Sequence, residues 1–291
     1  MSNAYNQLLE AAIQHLQDLK ARGVRFVPLS PKNLADLSRG PRVSFAPVSR
    51  PAEGPPVKPT PSVPKTSHEA PVVEPSLKAP LPDSDTKMAA FTDLRRQALA
   101  CVKCPNLVAA RKHVVFGVGS LEAQLMFIGE APGADEDAQG EPFVGKAGQL
   151  LTKVIEAMGL TRDSVYIANI LKCRPDTPGQ TTGNRKPTPE EMQTCIPYLH
   201  KQIDLIGPKV IVALGGTAME GLLGKTGITK LRGQWHIYRG IPLMPSYHPA
   251  YLLRNQSPIE KRRVWEDMLQ VMEKLGLPIS QRQRGFFSKT G

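Results

Sequence analysis

Ala123-Gln-Leu-Met-Phe-Ile-Gly129 and Ser164-Val-Tyr-Ile-Ala-Asn-Ile-Leu171 bracket a stretch whose periodicity changes halfway. Each run is short, apolar and β-branched or aromatic in character, as a strand buried on both faces must be. Between them, Gly145 to Met158 repeats its apolar residues at helical spacing. A strand, a helix and a second strand in this order predict a parallel pair joined by a crossover. Working outward, the alternation continues. Thr188 to Ile206 opens with Thr-Pro-Glu-Glu, a capping sequence, and reads as a helix. Lys209-Val-Ile-Val-Ala-Leu214 is a third strand, Thr217 to Leu223 a short helix, Ile241-Pro-Leu-Met-Pro-Ser246 a fourth strand, and Ser257 to Leu275 a final long helix. The expected fold is α/β, a three-layer α/β/α sandwich around a central four-stranded parallel sheet. Ligands of such sheets bind beyond the carboxyl ends of the strands, which singles out Gly129-Glu130, Asn169 and His248.

The rest of the 291 residues reads differently. From Pro41 to Pro82 there are 12 prolines in 42 residues. Proline lacks a backbone donor and steers its neighbours to extended conformations, so this segment reads as a disordered tether. Ahead of it, Leu8, Leu9, Ala12, Ile13, Leu16 and Leu19 form a helical stripe stopped by Gly23, suited to docking on a protein partner. The predicted organisation is therefore an amphipathic helical segment over 1–40, a Pro-rich linker over 41–86, a globular domain over 87–280 and a basic tail over 281–291. No run approaches the length of a membrane span, and the start lacks the apolar core of a secretory signal. Four cysteines are too few for a disulfide scaffold, so a cytoplasmic setting is expected. The net charge is +11, most of it in the globular part, which points to a polyanionic partner.

Three constellations carry chemistry. Cys101 and Cys104 form a C-x2-C pair, followed after gaps of 68 and 21 residues by Cys173 and Cys195. Four thiolates can close a zinc site or an iron–sulfur cluster, and spacing alone does not separate the two. Gly129-Glu-Ala-Pro-Gly-Ala-Asp-Glu-Asp137 and Gly140 to Gly148 form a long Gly- and Pro-rich loop carrying Glu130, Asp135, Glu136 and Asp137. Clustered acids cradle phosphate poorly but can activate water. Phe143 in the same loop is open to two readings, a core residue or an aromatic that stacks on a planar base. Ser246-Tyr-His-Pro-Ala-Tyr-Leu-Leu-Arg-Asn255 sets His248 just past the fourth strand, with a proline that argues against regular structure after it.

Taken together, Gly129-Glu-Ala-Pro-Gly133, Pro142-Phe-Val-Gly-Lys-Ala-Gly148, Asn169-Ile-Leu-Lys-Cys-Arg-Pro175, His248-Pro-Ala250 and the four ordered cysteines resemble the family 4, iron–sulfur, uracil-DNA glycosylases. The resemblance runs from about Cys101 to Glu273. It implies release of uracil from DNA and a structural [4Fe–4S] cluster on Cys101, Cys104, Cys173 and Cys195. By position in the motifs, Glu130 would activate the attacking water with Glu136 in support, and His248 would stabilise the departing uracil anion. Ala131 and Gly133 would make backbone contact, Phe143 would stack on the base, Asn169 would read its edge, and Leu252 would wedge into the duplex. The implied partner is uracil-containing DNA, met by a monomer in the cytoplasm at the nucleoid. A relative that traps the sugar covalently carries a histidine where Lys172 to Lys186 has none, and the family 5 type lacks the carboxylate that Glu130 supplies. Asp176 to Gly183 reads as an insertion between the last two cysteines.

Overall fold

The computed structural model describes residues 84–176 and 184–288. The leading helix, most of the Pro-rich linker and nearly all of the 176–183 insertion lie outside the described residues. Helix α1 (Ser84–Leu99) already begins within the segment expected as linker, so the globular part starts a few residues earlier than its composition suggests. Then follow α2 (Pro105–Ala110), β1 (Val118–Gly119), β2 (Leu125–Gly129), α3 (Ala134–Gln139), α4 (Lys146–Ala157), β3 (Tyr166–Asn169), α5 (Pro189–Ile206) and β4 (Val210–Leu214). The chain continues through α6 (Gly216–Leu223), α7 (Ile228–Leu231), β5 (His236–Tyr238), β6 (Ile241–Ser246), α8 (Pro249–Arg254), α9 (Pro258–Leu275) and α10 (Gln281–Arg284).

The strand order is β1-β3-β2-β4-β6-β5. The four expected strands form the parallel centre, with β2 between β3 and β4, and β6 beyond β4. The sheet is nevertheless six-stranded: β1 pairs antiparallel with β3, and β5 antiparallel with β6. These edges are two and three residues long, too short for a periodicity in the sequence to announce them, and short edges also resist pairing with another chain.

The alternation inside β2 shows why the apolar runs are continuous. Met126 and Ile128 enter one core with Ile203 of α5 and Met219 of α6. Leu125 and Phe127 enter the other with Leu151 and Ile155 of α4 and Met268 and Met272 of α9. Every residue of β2, β3 and β4 is buried; at roughly 1.5–3 kcal/mol per large apolar side chain, this double burial is the main force ordering the sheet. The Thr188 capping box forms as read, with the Thr188 hydroxyl accepting from Glu191 N at 3.2 Å and Glu191 returning to Thr188 N at 2.9 Å.

Three local expectations change. The acidic loop after β2 contains a helix, α3, whose first turn holds Asp135, Glu136 and Asp137, where carboxylates meet the positive end of the helix. Pro249 does not end regular structure; it occupies the first turn of α8, where its missing N–H costs nothing. The described part of the expected basic tail, 281–288, is packed: Trp265 Nε1 donates to the Gln283 carbonyl at 2.5 Å, Arg262 donates to the carbonyls of Arg284 and Phe286, and the Phe286 ring lies 5.3 Å from that of Trp265.

Candidate active site

The site forms where β2, β3 and β6 end. Gly129 and Asn169 are directly paired across β2 and β3, so the chain turns into the Glu130 loop beside the Asn169 side chain. A Cβ on Gly129 would collide with Asn169 Oδ1 and would stand 2.6 Å from Phe143 Cζ. Glycine is required here by close approach rather than by its dihedral angles.

Asn169 is buried, and its Oδ1 has no hydrogen-bond partner. An unpaired buried amide oxygen costs about 1–3 kcal/mol, and here it borders a cavity from which a water or a ligand can supply the donor. Its backbone is fixed: β3 runs on past it, with Ile170 N donating to Gly129 O at 3.0 Å and Leu171 N to Glu130 O at 3.1 Å. The buried Lys172 ammonium donates to the Asn169 carbonyl at 2.9 Å and to Gln202 Oε1 at 2.7 Å.

Phe143 is a non-glycine residue at φ +55°, a conformation that persists only where its surroundings over-determine it. They do: Arg162 donates to the carbonyls of Phe143 at 3.2 Å and Pro142 at 2.8 Å, and any side chain on Gly148 would overlap the Phe143 backbone. The ring is held 5.5 Å from the His248 ring at an interplanar angle of 30°.

Glu136, expected in support of Glu130, is engaged by the backbone of its own loop. Its Oε2 accepts from Gly133 N, and its Oε1 from both Val144 N and Gly145 N, each at 3.0 Å. Three of the carboxylate's roughly four acceptor sites are taken by backbone N–H groups, so Glu136 ties the two halves of the loop together while also lining the smaller of two cavities.

His248 caps α8: its Nδ1 accepts from Ala250 N at 3.1 Å. This fixes the tautomer, because an Nδ1 that accepts leaves the ring proton on Nε2. Burial, helped by the nearby Arg254 charge, lowers its pKa to about 4, so the ring is a neutral donor at physiological pH. Glu130 is half-buried, and burial raises its pKa; a hydrogen bond from Thr217 and the Lys186 charge partly oppose that.

Two adjoining cavities result. The smaller, of about 200 Å³, is bounded by Phe143, Asn169, Glu136 and His248. The larger, of about 550 Å³, holds Glu130 with Tyr251 and Arg254. Ala131, Gly133, Asn184, His248 and Ala250 line both, so the two are contiguous. The structure thus brings Glu130, Ala131, Gly133, Phe143, Asn169 and His248 to one place. Leu252 is not with them: it is 5% exposed and packed against Tyr247 and Val264, whereas Leu253 beside it is 39% exposed. Sequence reading also missed Arg162 and Asn184. Asn184 follows the insertion and donates to the Pro132 carbonyl at 2.7 Å while accepting from Arg174 at 3.0 Å; neither residue carries a local pattern that announces its role.

The four cysteines gather on the far side of the same β3 extension. All are free, and Cys104, Cys173 and Cys195 each feel the charge of other members of the set. Burial raises the pKa of these three, that of Cys195 to about 11. Arg111 Nη1 donates to Cys173 Sγ at 3.1 Å and Lys172 N to Cys195 Sγ at 3.2 Å, donors that suit sulfur carrying negative charge. Among the described residues no set of three or more His, Cys, Asp or Glu side chains is arranged around a single metal ion. None of the described helices is long and apolar enough to cross a membrane.

Comparison with known proteins agrees with this geometry. The Uracil DNA glycosylase superfamily matches residues 116–269. A type-4 uracil-DNA glycosylase of Thermotoga maritima is 46% identical over 173 residues, which cover 58% of this chain and 85% of that protein. One of Sulfurisphaera tokodaii is 40% identical over 196 residues, 64% of this chain and 85% of its own length. A type-5 uracil-DNA glycosylase of Pyrobaculum aerophilum is 29% identical over 195 residues, 56% of this chain and 83% of its own.

Proposed function

The chain belongs to the uracil-DNA glycosylase superfamily, and from that premise we propose that it hydrolyses the N-glycosidic bond of uracil in DNA, releasing the free base and leaving an abasic site. One observation carries the reading: the orphaned Asn169 Oδ1 at the floor of a cavity walled by the Phe143 ring and a neutral histidine donor.

A base inside a duplex cannot be reached, so the nucleotide is extruded at a cost of a few kcal/mol. Phe143 replaces the lost stacking. Asn169 Oδ1 accepts from uracil N3–H and its amide donates to O4; cytosine reverses both groups and leaves each unpaired, at roughly 1–3 kcal/mol per group. As the bond to C1′ breaks, positive charge grows on the sugar and negative charge on uracil O2. The His248 Nε2–H donates to O2 without first having to lose or gain a proton, and the Glu130 carboxylate holds and deprotonates the water that attacks C1′. Ala131 and Gly133 contribute backbone along the wall shared by the two cavities. The basic domain meets the phosphates, Arg254 lies at the rim, and the exposed Leu253, not the buried Leu252, is the apolar side chain that α8 offers to the duplex.

Cys101, Cys104, Cys173 and Cys195 would hold a [4Fe–4S] cluster. Such a cluster supplies a rigid anchor and no electron, since hydrolysis oxidises nothing. The sulfur-directed donors Arg111 and Lys172 support this assignment. The protein would act as a monomer in the cytoplasm at the nucleoid, with a protein partner for its leading helix or Pro-rich arm. The test is release of uracil from oligonucleotides carrying U·G, U·A or single-stranded uracil. Absence of abasic product on all three refutes the reading. Brown colour with broad visible absorbance in the purified protein checks the cluster; a colourless, zinc-loaded protein refutes it.

A further inference from the structure

Next to the segment that leads into His248 lies a buried charged group that the reaction above does not use. Asp267 of α9 is fully buried. Its Oδ2 accepts from Ser246 Oγ at 2.6 Å and from Arg232 Nε at 3.1 Å, and its Oδ1 accepts from Arg232 Nη2. Arg232, just past α7, also donates to the Arg263 carbonyl and lies with its guanidinium carbon 5.6 Å from the centre of the Tyr247 ring. Ser246 and Tyr247 are the two residues that lead the chain into His248. We propose that Asp267 is a positioning residue for His248: it fixes Ser246 directly and Tyr247 through Arg232, and so sets where the imidazole enters the base cavity.

The connections converge on one segment. Ser246 ends β6, and its carbonyl accepts from Gly215 N at 2.9 Å, so sheet and carboxylate grip the same residue from two sides. The Tyr247 ring packs on that of Tyr251 at 4.6 Å, one turn into the helix that His248 caps. Gly233, at φ +73°, leaves only 3.1 Å between a Cβ and Asp267 Oδ1, so the backbone closes tightly over the pair. Asp267 lines neither cavity. A buried ion pair contributes little net stability compared with an apolar filling of the same volume. What this one adds is direction, because one partner is Ser246 and the other, Arg232, bears on Tyr247, the two residues that lead into His248.

The inference rests on the role given to His248 above, and the experiment separates the two. Single-turnover excision and binding of a uracil-containing oligonucleotide are measured for the wild type, Asp267→Asn, His248→Gln and the double variant. Asp267→Asn keeps the size of the side chain and an oxygen for Ser246 but loses the charge that holds Arg232. The excision rate should fall about tenfold or more, as small misplacements of reacting groups do, while DNA affinity stays within roughly threefold. In the His248→Gln background the same substitution should cost less than about twofold, because residues acting through one another are not additive. An additive loss in that background, or a loss of binding equal to the loss of rate, overturns the positioning role and leaves the functional reading intact. A wild type without excision overturns both. Should Asp267→Asn lose its cooperative thermal transition, Ser246→Ala cuts one limb alone. A rate loss of about threefold that vanishes in His248→Gln then supports the proposal, and an unchanged or additive rate overturns it.

Discussion

Gly129→Ala is the smallest change that tests the base cavity as a whole. The added methyl would overlap Asn169 Oδ1 and stand 2.6 Å from Phe143 Cζ, against an ordinary contact of about 3.5–4 Å. One of the two must move, and neither is free to. Asn169 is tied into the sheet by Lys172 and by the β2–β3 ladder, and Phe143 is held by Arg162 and by the absent side chain of Gly148. Overpacking of this kind costs about 1–3 kcal/mol. Since about 1.4 kcal/mol is a factor of ten in rate, displacement of the base-reading groups should lower kcat/KM for uracil excision about ten- to a hundredfold, with only a modest fall in Tm. Gly285→Ala is the matched control: its Cβ would meet nothing nearer than 3.6 Å at an ordinary dihedral, and excision should be unchanged. The comparison is made by steady-state kinetics on one oligonucleotide with thermal unfolding in parallel. If Gly129→Ala keeps kcat/KM within about threefold of the wild type while folded, Asn169 and Phe143 do not bound the base and the reasoning fails.

Glu130→Gln should slow excision by about a hundredfold or more, the usual contribution of a general base, while gel-shift affinity for uracil DNA holds; unchanged cleavage would remove Glu130 from the mechanism. Asn169→Asp exchanges the amide donor for an acidic oxygen and should relax the preference for uracil over cytosine by about tenfold or more, read as release of cytosine from a C·G oligonucleotide; full retention of selectivity would contradict its role. Acid stability should show two opposing contributions. His248, lowered from 6.5 to about 4, takes up a proton in the unfolded chain before the folded one, so stability falls by about 3 kcal/mol as pH drops across that interval. Asp267, raised from 3.8 to about 6, is protonated first in the folded chain, so the same drop restores about as much. His248→Gln should therefore gain Tm relative to the wild type between about pH 7 and pH 5, and a constant difference would refute the shift.

The central strands were legible because β2 and β4 are buried on both faces and β6 over its last four residues: all three lie where continuous apolar runs place them, and β6 matches to the residue. Structure that depends on a distant partner was not legible. Val118–Gly119 and His236–Tyr238 become strands only because β3 and β6 offer them edges. Helix α3 was hidden because three acids between glycines resemble a solvated loop, although in place they meet the positive end of their own helix. That Glu130, Phe143, Asn169 and His248 converge on adjoining cavities was legible because each follows a strand or sits in the loop that leaves one. That three backbone donors bind the Glu136 carboxylate was not legible, since its sequence neighbourhood does not reveal them. The burial of Leu252 was not legible for a related reason: two leucines in succession on a helix point about 100° apart, and only packing decides which is inside. Arg162, Asn184 and Asp267 act across long stretches of chain and leave no signature.

The peptide from Asn169 to Cys173 is a single stiff ribbon. Its amides are stitched to Gly129, Glu130 and Cys195, its Lys172 carbonyl to Val115, and its Lys172 side chain back onto Asn169. Recognition amide and thiol thus sit at opposite ends of one lever with no hinge between them. On the function proposed above, alkylation or oxidation at Cys173 acts on the same ribbon that carries Asn169, so it should disturb discrimination between pyrimidines as well as the cysteine cluster.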